Sequence, residues 1–139
     1  MFSVGCHVGR LLEVRVASPF PATEAARFIT EISGVIAAAP AHIVAVCDLR
    51  GTRRIVDPET IDRIALLMRA ENPKLDRNGL LLPDGVATVA LQIERLIKSA
   101  GASTRRTFRR RVEVESWLNE LLGADERARL AAFLDEPTG

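Results

Sequence analysis

The chain has no tyrosine, one tryptophan, two histidines and two cysteines in 139 residues, and each scarcity closes a route to function. Without tyrosine, and with Phe108 and Trp117 expected in the core, no aromatic platform is left on which unpaired bases can stack. His7 and His42 stand apart and have no Cys, Asp or Glu at ligand spacing, so no metal is expected. Cys6 and Cys47 are too few for a disulfide framework, and Cys47 falls within an apolar run. Both are read as reduced, small and apolar. Nineteen basic against eighteen acidic residues leave a formal charge of +1, with no global field to recruit nucleic acid or an anionic membrane. No apolar run approaches the roughly 20 residues that span a bilayer, and no basic stretch leads into an apolar segment at the N-terminus. The expectation is a cytoplasmic protein without a transmembrane segment.

Catalytic signatures are missing as well. A nucleophile needs a neighbouring base and an oxyanion cradle, and no Gly-x-Ser-x-Gly elbow occurs. The turn Leu49-Arg50-Gly51-Thr52 carries neither a phosphate-loop nor a dinucleotide fingerprint. The reading is therefore a non-enzymatic protein, with no catalytic residue and no cofactor assigned.

What is present is aliphatic: 47% of the residues are hydrophobic, enough for one domain spanning 1–139 with a sizeable core. Leu12, Val14 and Val16 alternate with Glu13 and Arg15, as in a strand buried on one face, and Val4 to Val8 can pair with it as a hairpin. Ala22, Ala25, Ile29, Ile32 and Ile36 recur at helical spacing, fading at Gly34 and Pro40. The run Ile43-Val44-Ala45-Val46-Cys47 ends at Asp48 and reads as a central strand buried on both faces. Asp57 suits a helix cap, Pro58 the first turn and Glu59 the positive end of the dipole, ahead of a stripe of Ile61, Ile64, Ala65 and Met68. Asn72-Pro73 stops that helix. Gly79 to Leu82 then reads as a second parallel strand, and Val86 to Ile97 as a helix stopped by Ala100-Gly101. Thr104 to Phe108 is a short strand. Val114 to Leu121 is a helix ended by Gly123, and Leu130 to Leu134 lies on a last helix that Asp125 can cap. The order β-β-α-β-α-β-α-β-α-α predicts an α/β fold with a mainly parallel sheet and an antiparallel opening pair.

The hairpin opening, the strand end Val46-Cys47-Asp48-Leu49 and the helix starting at Asp57 resemble a STAS domain, the fold of the anti-sigma factor antagonists. Arg106-Thr107-Phe108, Trp117-Leu118 and Asp125-Glu126-Arg127 bring the resemblance closer to the SpoIIAA-like group, over nearly the whole chain. It implies a STAS-like mixed sheet with helices packed on it, and a regulatory module working through protein contact. In phosphorylated antagonists a serine follows the aspartate at that helix start. Here the residue is Pro58, which cannot accept phosphate, so the resemblance does not carry the phosphorylation switch with it.

In open α/β sheets the carboxyl edge of the strands is where ligands and partners dock. The residues expected there are Asp48, Arg50, Thr52, Arg53, Arg54, Asp57 and Glu59, offered to an unidentified protein partner or to a second copy of the chain. Arg105, Arg106, Arg109, Arg110 and Arg111 form the densest charge run and are read as a solvated basic edge; nucleic acid is not expected. The alternative is a small-ligand or lipid carrier with an apolar pocket between helices and sheet, to which the aliphatic content and Ala37-Ala38-Ala39 point.

Overall fold

In a computed structural model, which describes residues 1–39 and 42–136, the chain runs β1 (Phe2–Gly5), β2 (Leu11–Val16), α1 (Ala22–Ala38), β3 (Ile43–Asp48), α2 (Pro58–Glu71), β4 (Leu75–Leu81), α3 (Ala87–Ala100), β5 (Arg105–Phe108), α4 (Arg111–Asn119) and α5 (Ala124–Asp135). The expected order of elements holds throughout, and Pro40 lies outside the described residues. The five strands form one mixed sheet in the order β1-β2-β3-β4-β5. β1 is antiparallel to β2 and the other pairs are parallel.

That strand order dictates the layers. Each β-α-β crossover steps the same way across the sheet, and crossovers of one hand then place α1, α2 and α3 on one face. Leu12, Val14, Val16, Ala45, Leu80 and Leu82 meet Phe28 and Ile32 of α1 and Val89 and Ile93 of α3 there. The other face is left for the C-terminal helices, where Leu11, Val44, Val46 and Leu81 meet Val114 and Leu118 of α4 and Leu130, Phe133 and Leu134 of α5. α4 lies so close to β4 that a Cβ on Gly79 would stand 2.6 Å from Val114 Cγ2. Only glycine fits that contact.

Several expectations shift. β1 is Phe2–Gly5 rather than Val4–Val8, and Val4 pairs with Val14. β2 is buried on both faces, because α5 covers the side that carries Glu13 and Arg15. β4 begins at Leu75, four residues before the apolar run, since its polar first half still pairs with β3. Asp125 is not the cap of α5; Gly123 occupies that position, and its N–H donates to Glu126 Oε1 at 2.9 Å. Glu126 Oε2 accepts from the Arg10 N–H at 2.9 Å, so one carboxylate ties the helix start to the β1–β2 turn. Asp57 does cap α2, accepting from the Thr60 N–H at 3.2 Å, with Pro58 in the first turn. Gly101 ends α3 at φ +78°, a left-handed cap that glycine adopts without strain.

Candidate functional site

The strand end at Asp48 builds structure rather than an open edge. Asp48 is 0% exposed. Its Oδ1 accepts from Arg50 Nε at 2.9 Å and its Oδ2 from Arg50 Nη2 at 2.9 Å and Arg15 Nε at 3.1 Å. The same guanidiniums finish α5: Arg15 Nη2 donates to the Phe133 carbonyl at 2.6 Å and Arg50 Nη2 to that of Leu134 at 2.8 Å. Two cations thus sit at the negative end of a helix dipole. Burial works to raise the Asp48 pKa, but the hydrogen bonds from Arg50 and Arg15 outweigh it and hold the carboxyl below its ordinary value. Arg129 extends the network by clasping Glu13 at 2.6 and 2.8 Å.

The seven residues expected at the carboxyl edge therefore divide. Asp48 and Thr52 are buried, Thr52 donating its hydroxyl to the Val16 carbonyl at 2.8 Å, and Arg50 is spent on Asp48 and α5. Arg53, Arg54, Asp57 and Glu59 are exposed, with Arg53 Nη1 donating to the Asp84 carbonyl at 2.6 Å. The arginine run divides too. Arg105 is buried on the α2–α3 side, while Arg106 faces the rings of Phe108 and Trp117 at 5.5 and 5.7 Å. Arg111 pairs with Glu115 and Asp135 at 2.5 Å each. Only Arg106, Arg109 and Arg110 of the five remain exposed, so the expected basic edge is shorter than the sequence run.

A different site lies beneath the helices. Between α1, α2, α3 and the sheet is a cavity of about 100 Å³, walled by such aliphatic side chains as Val14, Ala45, Ile64, Met68 and Ile93. Leu49, Thr52 and Val56, from the loop after β3, form part of its wall. That loop is fastened to α3 by a two-point clasp, Val56 N–H to Gln92 Oε1 at 2.8 Å and Gln92 Nε2 to the Val56 carbonyl at 2.6 Å.

Besides Thr52 and Gln92, a connected group of polar side chains stands against this apolar wall: Glu71, Arg105, Asn78 and Cys47. Arg105 Nη1 donates to Asn78 Oδ1 at 2.6 Å, and its Nη2 to the Met68 carbonyl at 3.0 Å and Asn72 Oδ1 at 3.2 Å. Asn78 Nδ2 donates to the Ala45 carbonyl at 3.3 Å and contacts Cys47 Sγ at 3.4 Å. Glu71 Oε2 lies 3.7 Å from Arg105 Nη2, but Glu71 Oε1 and Arg105 Nε are buried without a partner. Burial pushes the Glu71 carboxyl up to about 7, against the attraction of Arg105. Burial likewise raises the Cys47 thiol to about 11 and lowers the Arg105 pKa. Among the described residues no group of three His, Cys, Asp or Glu side chains could hold a metal ion. Nor is any described helix long and apolar enough to cross a membrane.

This polar cluster was not singled out from sequence, although one signal was there. Glu71 follows Met68 by three and Ile64 by seven, which extends the buried stripe of α2 onto a carboxylate. Asn78 and Arg105 carry no such signal, because strand alternation places them on a face without naming what they meet. No family model, curated protein or solved structure matches the chain significantly.

Proposed function

We propose that the chain is a non-enzymatic binding module that holds a small, mainly apolar molecule in the cavity between the sheet and α1, α2 and α3. The observation that carries this reading is the cavity itself. Protein interiors contain few voids larger than a water molecule. An apolar ligand that fills it buries its own surface and that of the aliphatic wall, at about 25 cal/mol per Å² removed from water. The volume is about two-thirds of the cavity of about 150 Å³ that holds benzene, and the space is partly open to solvent, so a ring of six heavy atoms is near the largest guest it takes. Benzene is therefore the probe. Ligand-observed NMR should give saturable benzene binding to the wild-type protein and none to Ala45→Ile, which places extra carbons in the cavity. Absence of binding to the wild type, or equal binding to both, would refute the reading.

A second reading is favoured by Ile55 and Leu66, each 63% exposed, beside Arg53, Arg54 and Glu59. We propose that this loop and the outer side of α2 meet a protein partner. The opening antiparallel pair and the Asp57-capped helix, on which the SpoIIAA-like resemblance rests, support such a regulatory role. Reversing the charges of Arg53 and Arg54 should weaken capture of that partner in a pull-down, and unchanged capture would count against this surface.

A further inference from the structure

We propose that the open edge of β5 binds an extended acidic segment of a protein partner, which joins the sheet as an added strand. β5 stands last in the sheet order, and among the described residues β4 is its one strand neighbour. The carbonyls of Thr104 and Phe108 accept from the N–H groups of Asn78 and Leu82, at 2.9 and 2.8 Å. In a parallel pair every second residue bonds to the neighbouring strand, so Arg105 and Thr107, which alternate with these, turn their N–H and C=O groups away from β4. Nothing among the described residues bonds to those outward groups. An edge of this kind is a template for strand addition, in which the main chain supplies affinity and the side chains supply selectivity.

Charge identifies the occupant. Arg105 and Arg111 are answered within the fold, by Glu71 and by Glu115 with Asp135. Arg106, Arg109 and Arg110 are exposed, and no acid of the described residues pairs with them. Arg106 is also held in position, its guanidinium lying over the rings of Phe108 and Trp117. An extended segment with an acidic residue at every second position puts its carboxylates on the Arg106 side while its main chain meets Arg105 and Thr107. A second copy of the chain brings the same cations, and pairing β5 with itself sets guanidinium against guanidinium. Nucleic acid brings phosphates but no peptide groups to continue the ladder.

The probe is the synthetic peptide acetyl-Thr-Glu-Val-Glu-Thr-Glu-Val-Glu-amide, titrated into the full chain by NMR. Saturable shifts are expected at the Arg105 and Thr107 amides, which gain hydrogen bonds, and at the indole of Trp117, which touches Phe108. The same peptide N-methylated at every residue keeps its charge and loses its main-chain donors. It should bind at least tenfold more weakly, as should the peptide with lysine in place of glutamate. Thr107→Pro removes an outward N–H, a position where edge strands tolerate proline, and should weaken the acidic peptide at least tenfold. The double variant Arg106→Glu and Arg110→Glu, which alters exposed side chains alone, should do the same. Absence of shifts with the acidic peptide, or equal affinity for its N-methylated form, would overturn strand addition. Tighter binding of oligouridylate would reassign the edge to nucleic acid. A wild-type dimer in sedimentation that Thr107→Pro dissociates would reassign it to a second copy.

Discussion

Glu71 makes stability depend on pH in a window where carboxylates ordinarily have no effect. Its side chain is only 7% exposed, and burial against Met68, Leu75 and the other cavity residues raises its pKa from 4.5 to about 7, with Arg105 opposing. The folded protein then binds a proton more tightly than the unfolded chain does. Below pH 4.5 the group is neutral in both states and its full contribution is present. As pH rises toward 7 the unfolded chain ionises freely while the folded state resists, so stability falls by up to about 1.4 kcal/mol per pH unit. The interval between 4.5 and about 7 amounts to a loss of about 3 kcal/mol, complete above pH 7. Asp48 and Glu136 are shifted the other way, with pKa values held below their ordinary ones, so their titrations lie at more acid pH. Urea unfolding at pH 5, 6, 7 and 8 gives the profile, and Glu71→Gln isolates the group, since an amide does not titrate. The wild type should lose about 2–3 kcal/mol relative to the variant between pH 5 and pH 8, the rest of the loss lying below pH 5. Parallel profiles for the two proteins would refute the reasoning.

Three further outcomes follow from the packing. Gly79→Ala should cost about 1–3 kcal/mol in urea unfolding, because its Cβ would stand 2.6 Å from Val114 Cγ2 and α4 has to give way; an unchanged midpoint would show that α4 does not press on β4. Asp48→Ala should destabilise by about 3–5 kcal/mol, since Arg15 and Arg50 lose their buried counter-ion. The Asp48 contribution is present above the unfolded pKa of 3.8 and is lost as pH falls through its lower folded value, so acid unfolding of the variant should lack that step. Burial raises both thiols, that of Cys47 to about 11, so iodoacetamide at pH 8 should label exposed Cys6 well ahead of half-buried Cys47, and equal rates would refute the difference.

The layout of the fold was readable in the chain because it rests on periodicity. Ile43 to Cys47 is apolar without a break, and β3 is covered on both faces. Asp57-Pro58-Glu59 carried its own punctuation and starts α2 as expected. Where contact partners decide, the reading stopped. Glu13 and Arg15 look like the solvent face of an amphipathic strand, and nothing local says that α5 returns to clasp them with Arg129 and its terminal carbonyls. The candidate site moved for the same reason. Asp48, Arg50 and Thr52 have the residue types of an open edge but turn inward, whereas Glu71 and Asn78, seven residues apart on α2 and β4, meet Arg105 of β5, 27 residues beyond Asn78. Their meeting is a product of the parallel pairing of β3, β4 and β5, which no stretch of sequence displays by itself.

The space between the sheet and the three crossover helices is proposed to accept an apolar guest. Xenon enters such cavities without needing a polar contact, so a crystal pressurised with it reads the space directly. A xenon site walled by Ala45, Met68 and Ile93 is expected, displaced when benzene is soaked in. A crystal that takes up xenon elsewhere and leaves this position empty would contradict it.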